Sequence, residues 1–186
     1  MSEPEVKTVS LPQLSIVIGG ARSGKSRLAE RLVAATHRPR VYIATAEAWD
    51  DEMHARIAAH REDRGAGWTT IEAPRDLCAA LARVPAGACV LIDCATLWLS
   101  NHLLAESDLD AEATALLAAL AACAAPVVVV TNELGWSIVP DNALARRFRD
   151  AQGRLNQRLA AEAALVVAVV AGLPMALKGT LPGALA

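Results

Sequence analysis

Residues 19–26 read GGARSGKS, placing Gly19, Gly24, Lys25 and Ser26 on the pattern G-x-x-x-x-G-K-[ST]. The chemistry of that spacing is phosphate binding. Glycines let the backbone curl until its N–H groups and the N-terminus of the next helix face an anion. Lys25 is then in reach of the β- and γ-phosphates, and the Ser26 hydroxyl is a ligand for Mg²⁺. The flanks fit: an apolar run, LSIVI (14–18), precedes the loop and the helical pattern SRLAERLVAA follows it. Lys25 also stands out because the only other lysines are Lys7 and Lys178.

Three further residues have types and positions suited to chemistry. Asp93 ends the apolar run CVLID, where an acidic residue holds Mg²⁺ directly or through water; alternatively it caps a helix opening at ATLWLSNHLL. Glu133, in VTNELG after the run PVVVVT, falls where α/β proteins collect ligands, and is either a metal or hydroxyl partner or a plain loop carboxylate. His60 closes an apolar stripe with Met53 and Ile57, at i, i+4 and i+7 of a helix expected over 50–63. On that pattern alone it reads either as a hydrogen-bonded structural histidine or as a reactive one. His37, His54 and His102 carry no pattern beyond a structural or surface role.

The elements that must position these groups alternate along the chain. Strands are expected at 14–18, 40–46, 68–72, 89–93, 126–131 and 165–171, with a last short one at 175–178. Helices are expected near 25–36, 50–63, 74–83, 110–124 and 141–163. Several strands are apolar on both faces, as required of a mostly parallel sheet with helices on both sides, so the fold class is α/β. The 186 residues suit a single domain with a real core, with 1–12 and 179–186 as flexible ends. A net charge of -2 gives no sign of a nucleic-acid binder. Cys78, Cys89, Cys94 and Cys123 are scattered without a CxxC pair, as in reduced core thiols. The opening MSEPEVKTVS is no signal peptide and AALVVAVVAGL is too short to span a bilayer, so the expectation is a cytoplasmic protein.

With GGARSGKS, the stretches YIATAEAWDDEMHARIAAHREDRGAGWTTIEAP, LIDCATLWLSN and TNELGWSIVPDNALARRFRDAQGRLNQRLA occur in one order. From about Ser15 to Lys178 the chain resembles the bifunctional adenosylcobinamide kinase / adenosylcobinamide-phosphate guanylyltransferase family. The resemblance implies a RecA-like P-loop fold and two reactions in assembling the nucleotide loop of cobalamin. Adenosylcobinamide is phosphorylated with ATP or GTP, and GMP is then transferred from GTP to give adenosyl-GDP-cobinamide. It makes His60 the residue that becomes guanylylated. It assigns nucleotide binding to Gly19, Gly20, Ala21, Arg22, Ser23, Gly24, Lys25 and Ser26, to Ala44, Thr45 and Ala46, to Arg61, Glu62, Asp63 and Arg64, and to Glu72 and Asp93. Mg²⁺ is assigned to Ser26 and Asp93, and Glu72 is suited to guanine because a carboxylate can accept from both N1–H and the 2-amino group. The family also implies a homo-oligomer, with a trimer as the expectation. A simple P-loop small-molecule kinase with a structural His60, or a RecA-like nucleotide-dependent binding module, would share the loop but not the guanylylated histidine.

Overall fold

The computed structural model describes residues 9–47 and 64–183. The helix expected over 50–63 lies outside the described residues, and with it His60, Arg61, Glu62 and Asp63. The described chain runs β1 (Leu14–Gly19), α1 (Lys25–Ala34), β2 (Arg40–Ala44), β3 (Trp68–Glu72), α2 (Leu77–Ala82), β4 (Cys89–Asp93), α3 (Ala95–Leu104), α4 (Leu109–Ala122), β5 (Val127–Asn132), α5 (Ala143–Glu162), β6 (Leu165–Val170) and β7 (Leu173–Lys178).

One sheet of seven strands takes the order β3-β2-β4-β5-β1-β6-β7. Every pairing is parallel except β6 with β7, which are antiparallel. Strand alternation sends side chains to two cores. On one face Val17, Leu91, Val128, Val130 and Val167 pack against Leu28, Leu32 and Val33 of α1. On the other, Ile16, Ile43, Ile92, Val127 and Val129 meet Leu77 of α2, Trp98 of α3, Leu116 of α4 and Leu155 of α5. The helix following β1 and the helix following β5 therefore leave on opposite faces of two adjacent strands. Their loops diverge and open a crevice outside the carboxyl ends of β1 and β5, where ligands bind in open α/β sheets.

Three local features depart from the sequence expectation. Helix α3, raised only as the alternative to a metal role for Asp93, is absent from the helices expected by period, because Thr96, Trp98, Leu99, Asn101, His102 and Leu103 are buried around most of its circumference. Its one partly exposed face carries Leu97, Ser100 and Leu104, so no polar stripe announces it. The cap before it is Cys94, whose Sγ accepts from the Leu97 N–H at 3.4 Å, and not Asp93. Residues 9–11, inside the expected flexible N-terminal end, are held in place: the Val9 N–H donates to the Ala35 carbonyl and Leu11 is buried.

The last two strands form a hairpin whose turn residues, Ala171 and Gly172, both have positive φ, 52° and 81°. Left-handed backbone at both positions matches the right-handed strand twist of a tight hairpin. The turn also reaches the site, since the Gly172 N–H donates to the Ser23 carbonyl at 2.9 Å.

Candidate active site

The loop 20–24 leaves the buried end of β1 and enters α1 through two left-handed residues, Arg22 (φ 57°) and Gly24 (φ 93°). Gly24 caps α1 without any side-chain hydrogen bond, whereas Asp76, Cys94, Asp108 and Asn142 cap the other four described helices through their side chains. The first turn of α1 is thus the described helix start whose N–H groups are left to a ligand. The Lys25 ammonium folds over the loop, its Nζ donating to the Gly20 carbonyl at 3.0 Å. Ser23 is pinned through its own carbonyl by the β6–β7 turn, and its buried Oγ has no hydrogen-bond partner.

Gly19 has a steric reason of its own. A Cβ there would stand 2.5 Å from the Val169 carbonyl oxygen and 2.6 Å from Ser23 Oγ. Gly19→Ala is therefore expected to push the loop or β6 out of place, at about 1–3 kcal/mol of stability, with weaker nucleotide binding. At Gly20 a Cβ meets nothing within 4 Å, so Gly20→Ala should melt like the parent protein. Thermal melts of both variants, with nucleotide titrations of the first, check the pair.

The expected site residues on the other strands share one edge and one face of the sheet. Glu72 and Asp93 both pair with Ala44, and Asn132 pairs with Gly19. By alternation Glu72, Ala44, Asp93 and Asn132 all lie on the α1 face, in line with Trp68, Tyr42, Leu91 and Val130. Four inter-strand steps separate β3 from β1, each about 4.8 Å, or roughly 19 Å in all. The phosphate-loop candidate and Glu72 therefore stand at opposite ends of one track, with Asp93 between them.

Two buried polar clamps fix that edge. In the first, Thr45, fully buried, donates through Oγ1 to the Cys94 carbonyl at 2.8 Å and accepts from the Cys94 N–H at 2.7 Å. Asn101 Nδ2 donates to the Thr45 and Pro74 carbonyls, both at 2.9 Å. The Thr45 side chain thus ties β2 to the start of α3, with Ala44 and Ala46 on either side. In the second clamp, Thr96 Oγ1 accepts from the Asn132 N–H at 2.8 Å and Asn156 Nδ2 donates to the Asn132 carbonyl at 2.9 Å. Asn156 Oδ1 accepts from Thr131 Oγ1 at 2.7 Å and from Gln152 Nε2 at 2.8 Å. Asn101, Thr96, Asn132, Gln152 and Asn156 escaped the sequence reading. The only local hint was polar residues in otherwise apolar patterns, such as VTN at the end of β5.

Other polar groups have partners of their own. The Arg64 guanidinium lies over the Tyr42 ring, 3.4 Å from its centroid, a cation–π contact on the α1 face. Burial, with Asp93 nearby, pushes the Tyr42 hydroxyl pKa well above the usual range, so it stays protonated. Burial raises the Cys94 thiol to about 11, with Asp93 adding to the effect, so this thiol too is protonated at neutral pH. Glu133 turns to its own loop: Oε1 accepts from the Gly135 N–H at 2.6 Å, while its N–H donates to the Gly19 carbonyl at 3.2 Å. His102 is structural, 3.1 Å from Ser107 Oγ and 3.2 Å from the Arg75 carbonyl. On α5, Arg146 holds the Pro140 and Asp141 carbonyls and Arg158 holds Asp110 and Thr114.

A family model described as cobinamide kinase / cobinamide phosphate guanyltransferase matches residues 15–177. The Pseudomonas aeruginosa bifunctional adenosylcobalamin biosynthesis protein CobP is 49% identical over 167 residues, covering 88% of this chain and 96% of that protein. CobU proteins of the same description from Salmonella typhimurium and Escherichia coli are 44% and 42% identical, each covering 88% of this chain and 98% of theirs. Among solved structures, the flagellar accessory protein FlaH of Methanocaldococcus jannaschii superposes with a TM-score of 0.53 at 12% identity, over 94% of this chain and 82% of that one. That likeness concerns the fold alone, a mostly parallel α/β sheet with helices on both faces.

Proposed function

The chain belongs to the cobinamide kinase / cobinamide phosphate guanyltransferase family, and we propose that the carboxyl edge of its sheet carries both of the family's reactions. It is a bifunctional enzyme of adenosylcobalamin biosynthesis, a kinase and a guanylyltransferase. The observation that carries the residue-level reading is the uncapped start of α1 beneath Lys25, on an edge shared with Asp93 and Glu72.

In the first reaction the loop 19–26 holds the triphosphate of ATP or GTP. The hydroxyl oxygen of adenosylcobinamide attacks the γ-phosphorus, its bond to the β–γ bridging oxygen breaks, and the nucleoside diphosphate leaves. The hydroxyl proton is released as the new ester forms. Loop N–H groups and Lys25 stabilise charge on the phosphate oxygens, which is most of what a protein contributes to phosphoryl transfer. In the second, a neutral His60 nitrogen attacks the α-phosphorus of GTP and pyrophosphate departs. A phosphate oxygen of the cobinamide phosphate then displaces the imidazole, giving adenosyl-GDP-cobinamide and free His60. The track of roughly 19 Å suits an extended GTP, phosphates at the loop and guanine toward Glu72. Arg61, Glu62, Asp63 and Arg64 remain assigned to the same nucleotide.

Mg²⁺ belongs to this reading with Ser26 and Asp93 as its protein ligands. The donor types fit, since a hydroxyl and a carboxylate are both hard oxygen ligands. Magnesium characteristically takes one or two protein oxygens and completes its shell with phosphate and water. When bound it neutralises charge on the phosphates. Residues 1–186 act as a single domain, working in the cytoplasm as a homo-oligomer with a trimer as the expected state. No helix among the described residues is long and apolar enough to cross a membrane.

Intact-protein mass spectrometry after incubation with GTP tests the scheme: addition of one GMP, removed by acid and retained in base, is expected. A protein that phosphorylates cobinamide but never gains GMP would reduce the function to a simple kinase. Base selection has its own test. Glu72→Gln keeps the shape but turns one acceptor into a donor facing the guanine amino group. Loss of such a charge-assisted pair weakens GTP binding by about tenfold or more, with ATP binding little changed. Equal losses for the two nucleotides in calorimetry would remove Glu72 from guanine recognition.

A further inference from the structure

The second polar clamp is elaborate for a strand end, and the residue it fixes makes no use of it. Asn132 has both backbone groups held by side chains from two different helices, Thr96 of α3 and Asn156 of α5. Behind Asn156 stand Thr131 and Gln152, both fully buried. Burial of these polar groups is offset by the hydrogen bonds they make to one another, and such a buried network fixes a defined geometry. Gln152 Oε1 lacks a hydrogen-bond partner. Meanwhile the half-buried Asn132 carboxamide forms no hydrogen bond of its own among the described residues.

Its direction follows from the strand. Thr131 turns toward α5, where it meets Asn156 and Gln152. Val130 and Val128 turn toward α1. Asn132, one residue on from Thr131, therefore projects on the α1 face, directly across from Gly19 where the loop begins. That is the crevice between the diverging loops of β1 and β5. A neutral amide fixed at the backbone and unpaired at its tip is preorganised to donate to an oxyanion.

We propose that Asn132 reads the terminal phosphate: its Nδ2 donates to a γ-phosphate oxygen of the nucleotide held by loop 19–26, with Thr96 and Asn156 as positioning residues. The inference rests on the assignment of that loop to nucleotide phosphates. It predicts that Asn132 separates triphosphate from diphosphate, because a diphosphate seated in the loop has no oxygen at that place.

The test is calorimetric, with α,β-methylene GTP and α,β-methylene GDP, which cannot pass GMP to the protein. For Asn132→Ala the triphosphate analogue should bind about tenfold more weakly, with the diphosphate analogue within twofold of the parent protein. Thr96→Val keeps the carboxamide but frees the end of β5, and should lower the same ratio by a smaller factor. A merely structural role would lower the melting temperature of either variant and leave the ratio unchanged, which overturns the proposal. Lys25→Ala is the reference and should weaken both analogues. Wild-type binding indifferent to Lys25 would overturn the loop assignment and this inference with it. Lys25-dependent binding with an unchanged ratio in Asn132→Ala and Thr96→Val would overturn the Asn132 role alone.

Discussion

His60→Ala is expected to carry no GMP after incubation with GTP and to make no adenosyl-GDP-cobinamide, while its kinase rate stays within a few-fold of the parent protein. The separation follows from the chemistry of the two steps. Guanylyl transfer needs a nucleophile that stores GMP as a phosphoramidate, and no oxygen nucleophile forms the same acid-labile, base-stable bond. Phosphorylation of the cobinamide hydroxyl passes from γ-phosphorus to oxygen directly and draws on Lys25, Ser26 and the loop N–H groups. A histidine that only packs would behave differently. Its removal would lower the melting temperature and depress both activities together. Both rates, the intact mass and the melting curve, taken on one preparation, distinguish the cases. A His60→Ala protein that still accumulates covalent GMP would exclude His60 as the nucleophile.

Lys25→Ala is expected to reduce kinase turnover by about 30- to 1000-fold, the equivalent of roughly 2–4 kcal/mol of transition-state stabilisation. The substitution is a clean one in this fold. Lys25 Nζ donates to the Gly20 carbonyl, and the side chain stays at the loop without entering either core. The left-handed Gly24 that starts α1 and the Gly172 contact to Ser23 should survive it. The melting temperature should therefore move little while the rate collapses. Kinase turnover within twofold of the parent protein would place phosphoryl transfer elsewhere on the molecule.

Much of this was legible in one dimension. The loop 19–26 declares itself because phosphate binding by backbone requires glycine at fixed spacings, and spacing is a property of the chain alone. Strands such as those in CVLID and PVVVVT are visible because strands buried on both faces carry near-continuous apolar runs. His60 could be singled out, but its role rests on a family resemblance, since an apolar stripe ending in histidine has two physical readings.

What tertiary structure decided is which residues meet. Asp93, Glu72 and Asn132 come from strands distant in sequence, and only the order β3-β2-β4-β5-β1 sets them along one edge. Helix α3 was invisible to periodicity because even its outward face carries Leu97 and Leu104, while the burial of the rest depends on neighbours that the local sequence does not contain. The clamp on Asn132 joins residues 96, 131, 152 and 156, and no window of sequence holds all four. Gly19 likewise looked like a conformational requirement of the loop, but its tightest constraint is the Val169 carbonyl on a strand 150 residues later. Backbone conformation is a local choice that residue type announces; steric exclusion and hydrogen-bond partnership across a sheet exist only once the strands have paired.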